Sequence, residues 1–386
     1  VDPVSEPPDL RLVDRLGAAA CLRDGLLPWR RVGAATVVLT ARPDEVARHA
    51  AGLRAAFGPV AMALAPAPAI EAAILAARGR HLARAAESRV AEPESCRTWA
   101  TTRLPRLALA VALATLGAVW LAPVALLLVL TGVAVLTLVA TVGLKAMAAH
   151  ASHRPLPDGP PPIVARLPVV SLIVALYGEA SIAPRLIARL ERLDYPRDRL
   201  DVVLAVEAAD SATRDALART GLPAWMRVAV VPAGSIRTKP RALNHALDLC
   251  RGSIIGIYDA EDAPAPDQIA RVVQRFHERG EEVACLQGIL DFYNPRTNVL
   301  SRMFTLEYAA WFRVVLPGLA RLGLVVPLGG TTLFFRRNVL ESLGRWDAHN
   351  VTEDADLGIR LARHGYRTEL IDSVTGEEAN CRPLPW

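Results

Sequence analysis

A run of 38 residues without a charged side chain, Leu107 to Leu144, constrains this chain more than any other feature of its sequence. A helix of about 20 apolar residues crosses the hydrocarbon core of a bilayer, so the run is long enough for two crossings and too long for an ordinary buried helix. Ala122 and Pro123 lie near its middle and favour a turn. We therefore predict a transmembrane hairpin with helices at Leu107–Leu121 and Val124–Leu144; one long tilted helix is the alternative.

The charges that flank this run predict its orientation. Arg103 and Arg106 precede it, and Lys145 and Arg154 follow it, whereas the turn carries no charge. Positive charge on both sides places both flanks in the cytoplasm under the positive-inside rule. We predict a multi-pass protein of the inner (cytoplasmic) membrane, with residues 104–148 in the bilayer. Because mostly polar residues come before the run, we expect no cleaved signal peptide.

The composition excludes several classes of protein. Hydrophobic residues make up 52% of the 386 residues and the mean hydropathy is +0.27, which excludes a disordered or fibrous chain. The net charge of +5 is too small to indicate nucleic acid as a partner. The five cysteines are scattered and predict neither a disulfide framework nor a zinc site. Motifs of P-loop proteins, dinucleotide enzymes, zinc proteases and α/β-hydrolases are absent from the sequence.

Residues 1–98 read as a small cytoplasmic domain without a catalytic constellation. Helical spacing covers Leu10–Leu26 and Asp44–Phe57, and Ala34–Leu39 reads as a short strand. The fragment Arg15-Leu16-Gly17 resembles part of the N-terminal domain of type II secretion ATPases, some members of which bind cyclic di-GMP. That resemblance implies cyclic di-GMP as a candidate ligand; a plain packing or interaction domain is the favoured alternative.

A Pro-rich linker, residues 149–166, leads into residues 167–386, where strand and helix patterns alternate. Val169–Leu176 is a continuous apolar run, typical of a strand buried on both faces of a parallel sheet. Further strands are predicted at Leu200–Val206, Met226–Val231 and Ile254–Tyr258, with helical patterns between them. This alternation predicts a doubly wound α/β sheet, whose ligands bind beyond the carboxyl ends of its strands.

Polar residues directly after these strands are the first candidates for a site. Tyr177 and Glu179 follow the first strand, Glu207 follows the second, and Asp259 and Glu261 follow the fourth. Carboxylates that meet at one sheet edge repel one another unless a cation or hydrogen-bond donors join them. Asp259 and Glu261 could share one Mg²⁺ with the phosphate oxygens of a substrate. The alternative is an acidic turn that precedes a helix.

Two further pieces complete the candidate site. Thr352-Glu353-Asp354 precedes a helical pattern, where acidic residues favour the helix N-terminus, so simple capping is the alternative. Lys239 is the basic counterpart of the carboxylates and could neutralise a diphosphate, although a lone lysine is often only a solvated surface residue.

Taken together, these pieces resemble the inverting family 2 glycosyltransferases of the membrane polysaccharide-synthase type, which have a GT-A fold. The resemblance covers residues 168–386. Its matching pieces come in the family's order: Tyr177-Gly178-Glu179, Lys239 with Ala242-Leu243-Asn244, Asp259-Ala260-Glu261 at the DxD position, and Thr352-Glu353-Asp354.

The resemblance implies roles for these residues. Asp354 would be the general base, and Asp259 and Glu261 would hold the donor's diphosphate through Mg²⁺ or Mn²⁺. Glu179 and Glu207 would contact the nucleotide base. The implied donor-binding residues are Tyr177, Glu179, Glu207, Lys239, Asp259 and Glu353. The implied enzyme is membrane-anchored and transfers a sugar from a UDP-sugar to a glycan or lipid-linked acceptor in bacterial polysaccharide synthesis. A membrane-tethered nucleotide-binding receptor without turnover and a metal-dependent nucleotidyltransferase are the alternatives.

The sequence departs from the family pattern at three places. The second strand is followed by Glu207-Ala208-Ala209-Asp210, so base recognition rests on Glu207 or Asp210. The second DxD position is Glu261, which keeps the charge on a longer side chain. The family's Gln-x-x-Arg-Trp motif is expected soon after Pro385-Trp386, where the sequence ends, so we expect a C-terminally truncated domain.

Overall fold

The computed structural model describes residues 1–98, 104–153, 164 and 166–379. Most of the Pro-rich linker lies outside the described residues, as do Arg103, Arg154 and Pro385-Trp386. Within the described part, strands form two sheets, one before and one after a pair of apolar helices. The strands are β1 (Leu26–Val32), β2 (Ala35–Thr40), β3 (Val60–Leu64), β4 (Val170–Leu176), β5 (Leu200–Glu207), β6 (Met226–Val231), β7 (Ile254–Tyr258), β8 (Ala263–Pro264), β9 (Val283–Phe292), β10 (Leu333–Arg336) and β11 (Arg367–Glu377).

Helices connect these strands, and a π-helical turn, Trp311–Val315, joins two of them. The helices are α1 (Leu10–Leu16), α2 (Ala18–Asp24), α3 (Pro43–Arg48), α4 (Ala50–Phe57), α5 (Ala67–Glu87), α6 (Leu104–Leu121), α7 (Pro123–Ser152), α8 (Ala183–Leu190), α9 (Ser211–Thr220), α10 (Lys239–Leu247), α11 (Gln268–Glu278), α12 (Val299–Ala310), α13 (Leu316–Arg321), α14 (Arg337–Ser342) and α15 (Glu353–Arg363).

The N-terminal sheet has three strands in the order β1-β2-β3. β1 and β2 form an antiparallel hairpin, and β3 adds in parallel to β2. Its core includes Val13, Leu27, Leu39 and Ile74. The helix predicted over Leu10–Leu26 is two helices, because Gly17 has φ +90°, a value that favours glycine and ends α1.

The apolar run forms two helices, α6 and α7, with a break at Ala122. Pro123 begins α7, where its missing N–H costs no helical hydrogen bond. Nearly every side chain of both helices is exposed, so the two helices do not bury one another. Among the described residues only α7 is both long and apolar enough to cross a membrane. The predicted two-span hairpin is therefore not confirmed.

The C-terminal end of α7 packs on the larger domain. Ala148 and Ala151 are buried, and α7 continues to Ser152, past the predicted end of its helix at Leu144. A Cβ on Gly318 of α13 would lie 1.9 Å from the carbonyl oxygen of Ala148. Only glycine permits this approach of two helix backbones, so α7 is joined closely to the domain that follows it.

The larger sheet has eight strands in the order β6-β5-β4-β7-β10-β9-β11-β8. The first four are parallel, as the alternating pattern predicts. The second half is mixed: β10 is antiparallel to β7 and β9, β11 is parallel to β9, and β8 is antiparallel to β11. The fold is GT-A-like α/β, and its sheet is mixed in the half that lies beyond the four predicted strands.

Both faces of the sheet are covered by apolar cores. In β4, Ile173 faces the core that includes α10 and α13, whereas Leu172 and Val174 face the core that includes α8 and α11. All eight residues of β5 are buried. The central strands are therefore rigidly held, and the polar residues at their carboxyl ends have fixed starting points.

Candidate active site

The loop after β4 is organised by Asp210. Gly178 has φ +73°, and its N–H donates to Asp210 Oδ2 at 2.7 Å. Asp210 Oδ1 accepts from the N–H of Thr213 at 3.1 Å and so caps α9. Burial raises the pKa of Asp210, but these hydrogen bonds outweigh it and hold the pKa below its usual value. Asp210 is therefore committed to the loop, so Glu207 is the remaining candidate of the two carboxylates predicted to recognise the nucleotide base.

Tyr177 and Glu179 flank that glycine and remain accessible. The Tyr177 ring is 55% exposed, and the Arg237 guanidinium lies 4.5 Å from its centroid. The Glu179 N–H donates to Thr213 Oγ1 at 3.0 Å. Burial raises the pKa of the Glu179 carboxyl, and Glu261 and Asp210 add to the effect. Glu179 thus shares the negative field of the strand ends.

Glu207 ends β5 and pairs with a buried cation. Arg241 of α10 is fully buried, and its Nη1 lies 3.3 Å from Glu207 Oε1. Burial raises the pKa of Glu207, while Arg241 opposes the shift. Such a pair has its charges neutralised before any ligand arrives.

Lys239 and Asp259 form the centre of the candidate site. Lys239 begins α10, and its Nζ lies 2.6 Å from Asp259 Oδ1 and 2.9 Å from the carbonyl oxygen of Gly330. Burial lowers the pKa of Lys239, but Asp259 reverses the shift and raises it. The lysine is therefore a fixed cation at the carboxyl end of β7.

Two side chains accept hydrogen bonds from the backbone N–H of Asp259. Its N–H donates to Asp262 Oδ2 at 2.8 Å and to Thr331 Oγ1 at 3.1 Å. Asp262 is buried, and burial together with Asp259 raises its pKa well above the usual value. Asp262 therefore orders the turn and leaves the carboxylates of Asp259 and Glu261 for other contacts.

Asp354 joins the same cluster from the first turn of α15. A Cβ on Gly330 would lie 3.7 Å from Asp354 Oδ2, and Gly330 is the residue whose carbonyl accepts from Lys239. Asp354 is 8% exposed, and its Oδ1 has no hydrogen-bond partner among the described residues. Burial and the neighbouring Glu353 raise the pKa of Asp354 to about 8, with Lys239 opposing. The arrangement is typical of a general base.

Glu353 and Glu261 lie at the margins of this cluster. Glu353 is 5% exposed, and burial raises its pKa, again with Lys239 opposing. Glu261 is exposed, and its backbone carbonyl accepts from Arg189. Among the described residues, no group of three or more His, Cys, Asp or Glu side chains is arranged to hold a metal ion. Two carboxylates at one strand end do suit Mg²⁺ or Mn²⁺, because such ions complete their coordination with substrate phosphates and water.

The structure adds Glu377, which the sequence analysis missed. Glu377 ends β11 and lies one residue beyond the pairing of Gly376 with Ala263 of β8. Burial raises its pKa to about 7, and Asp259 and Glu261 add to the shift. A position at the end of a strand was the available signal, but β11 lies outside the four strands that the pattern predicted.

The N-terminal fragment Arg15-Leu16-Gly17 lies at the junction of α1 and α2. The Arg15 guanidinium lies 6.0 Å from the centroid of the Phe57 ring, a contact within the same domain. Cyclic di-GMP binding stays a prediction.

Comparison with known proteins gives this arrangement a family. Residues 168–379, more than half of the chain, match the family described as "Glycosyltransferase like family 2". The beta-monoglucosyldiacylglycerol synthase of Trichormus variabilis is 30% identical over 202 residues, 50% of this chain and 41% of that protein. A probable glucomannan 4-beta-mannosyltransferase of Arabidopsis thaliana is 24% identical over 220 residues, 54% of this chain and 39% of that protein. The chain thus spans about two fifths of the length of these relatives.

A solved structure supports the fold. The mannosyltransferase PcManGT from Pyrobaculum calidifontis, in complex with GDP-Man and Mn²⁺, superposes with a TM-score of 0.52 at 24% sequence identity. The match covers 65% of this chain and 69% of that one. From the extent of the family match, this chain belongs to the glycosyltransferase-like family 2.

Proposed function

We propose that this chain is a membrane-anchored inverting glycosyltransferase, which transfers a sugar from a UDP-sugar to a glycan or lipid-linked acceptor. One observation carries the proposal: Lys239, Asp259 and Asp354 meet around Gly330. A cation, a carboxylate suited to a metal and a buried carboxyl with a raised pKa are the parts that this reaction needs.

The donor would lie along the carboxyl ends of β4, β5 and β7. Glu207 and Glu179 would face the nucleotide base, with the exposed ring of Tyr177 beside it. Asp259 and Glu261 would hold Mg²⁺ or Mn²⁺ against the diphosphate, and the ion would supply positive charge to the leaving group. Lys239 would turn from Asp259 to the diphosphate and stabilise the charge that develops there.

Asp354 would act on the acceptor. Its unpartnered Oδ1 can accept the proton of an acceptor hydroxyl, whose oxygen then attacks the anomeric carbon. The attack comes from the face opposite the diphosphate, and the bond from that carbon to the diphosphate breaks with its electron pair going to the diphosphate, so the configuration inverts. A pKa of about 8 makes Asp354 a stronger base than an ordinary aspartate.

The arrangement of apolar surface supports an acceptor at a membrane. α7 is long enough to cross a bilayer, and its end packs against α13 at Gly318. α12 leads through the π-helical turn into α13, and it exposes Val299, Met303 and Leu306 at helical spacing. An amphipathic helix beside a spanning helix suits the membrane surface.

The test is release of nucleoside diphosphate by the chain reconstituted in lipid vesicles. UDP- and GDP-sugars are supplied in turn with Mn²⁺ or Mg²⁺, together with a lipid extract as acceptor. We expect metal-dependent UDP release and a glycosylated lipid or glycan, both lost with a chelator. Pyrophosphate release would instead indicate a nucleotidyltransferase. Nucleotide binding without any release would indicate a receptor.

A further inference from the structure

A segment of the N-terminal domain, Glu87 to Cys96, contacts Arg241 of α10 and Asp347 in the loop before α15. We call it the strap. It begins at the last residue of α5 and ends at a short 3-10 turn. Lys239 lies on α10, and Asp354 lies in the first turn of α15, directly after that loop. The strap therefore contacts the segments next to both Lys239 and Asp354.

Glu87 makes the contacts nearest to the donor side. Its Oε1 accepts from the N–H of Ser235 at 2.8 Å and from Arg241 Nε at 3.0 Å, and its Oε2 accepts from Ser235 Oγ at 2.5 Å. Gly234 leaves room for this approach, because a Cβ there would lie 2.1 Å from Glu87 Oε1. Arg241 is thus held between Glu87 and Glu207, two carboxylates from different domains.

The other end of the strap holds the loop before α15. Asp347 accepts from Ser95 Oγ at 2.9 Å and from the Cys96 N–H at 2.8 Å. His349 Nε2 lies 3.1 Å from the carbonyl oxygen of Glu87. This loop continues directly into α15, so the strap also supports the segment that presents Asp354.

We propose that Glu87 is a positioning residue for donor binding, through which the docked N-terminal domain sets the affinity of the site for its nucleotide donor. The inference rests on the proposed function. With Glu87 in place, Arg241 keeps Glu207 oriented, and Ser235 fixes the loop that leads into Lys239. Without the Glu87 carboxylate, Glu207 and the loop at Ser235 must become ordered when the donor binds. The entropy cost of that ordering reduces the affinity for the donor. Asp354 keeps its contacts, so turnover of the bound donor is preserved.

The test compares Glu87→Gln and Ser235→Ala with the wild-type chain in vesicles. The matched control is Glu92→Gln, which changes an exposed carboxylate of the same strap. The donor KM, kcat and the Kd for UDP with Mn²⁺ are measured for each protein. We expect each test variant to raise the donor KM and the Kd about tenfold, with kcat changed less than about twofold. The double variant should add little to the effect of Glu87→Gln, because the hydroxyl contact that Ser235→Ala removes is one of the contacts of the Glu87 carboxylate.

Each outcome bears on the inference. A merely structural role would lower kcat and the melting temperature together and leave KM unchanged, which would overturn it. If Glu87→Gln fails to fold, the exposed Ser235→Ala still decides the question. Test variants equal to Glu92→Gln overturn the inference while the proposed function stands. A wild-type chain that binds UDP without transfer refutes the proposed function, and Kd then decides the inference. A chain that binds no nucleotide overturns both.

Discussion

The acidic residues of the candidate site lie in two contrasting environments. One is the donor half, proposed to bind the nucleotide donor, and the other is the base half, proposed to hold the general base. In the donor half, three carboxylates have a partner: Glu207 pairs with Arg241, Asp259 pairs with Lys239, and Asp210 accepts backbone N–H groups. In the base half, Asp354 is buried and Glu377 is half-buried, and desolvation raises their pKa values to about 8 and about 7. Paired carboxylates are held in place and form a fixed binding surface. Desolvated carboxyls hold protons near neutral pH and suit proton transfer.

The difference predicts the largest effect for Asp354→Asn. The amide cannot accept a proton, so we expect kcat to fall about 10³-fold, whereas the Kd for UDP stays within about twofold. Asp356→Asn is the matched control in the same helical turn, because the Asp356 carboxylate accepts from Arg360 Nε at 2.7 Å. Sugar transfer and UDP binding are both measured. If the variant retains more than about a tenth of the wild-type kcat, Asp354 is not the general base.

Lys239→Met should have the next largest effect, because it changes both halves. It removes the cation that pairs with Asp259, so we expect kcat/KM to fall about 10²-fold. Lys239 also opposes the upward pKa shift of Asp354, so the pH at which kcat/KM levels off should move upward. Arg219→Met, at an exposed position of α9, is the control. A pH–rate profile that keeps its wild-type midpoint would break the proposed link between the two halves.

A smaller effect concerns the stability of the fold. The pKa of Asp354 is about 8 in the folded chain, against a usual value of 3.8. Between pH 3.8 and pH 8, the chain therefore takes up a proton at Asp354 when it folds. The resulting penalty is absent below pH 4 and grows as the pH rises toward 8. Asp354→Asn should therefore raise the free energy of unfolding at pH 8 and leave it nearly unchanged at pH 4. Denaturant unfolding at the two pH values measures this. An equal change at both would mean that repacking, not charge, is responsible.

The donor half was largely predictable from sequence. Its four parallel strands read as apolar runs, and their carboxyl ends must lie at one edge of the sheet, the edge that carries Glu207 and the pair of Lys239 with Asp259. The assigned roles of these residues remain predictions. Asp354 could be nominated only by resemblance, because nothing in its local pattern separates a general base from a helix cap.

The rest of the site was not predictable because it depends on distant pairings. β9, β10 and β11 pair in a mixed order, and sequence spacing does not specify that order. Glu377 reaches Asp259 and Glu261 only because β8 adds to β11. Glu87 lies 154 positions before Arg241, and its role depends on how two domains dock. Local periodicity contains no information about either contact.

Glu377→Gln gives the smallest expected effect and the sharpest test of the contrast between the halves. At pH 8 the wild-type Glu377 is ionised, because its pKa is about 7, and its charge adds to the negative field around Asp259 and Glu261. The variant should therefore need about threefold more Mn²⁺ for half-maximal activity at pH 8. At pH 6 the wild-type residue carries its proton, so the difference should nearly vanish. Glu378→Gln, at the exposed neighbour that bonds to the Tyr293 hydroxyl, should show no change at either pH. A Glu377→Gln effect of equal size at both pH values would show that Glu377 acts through its shape and not through its charge. Asp354 would then be the one carboxyl of the base half whose titration affects the reaction.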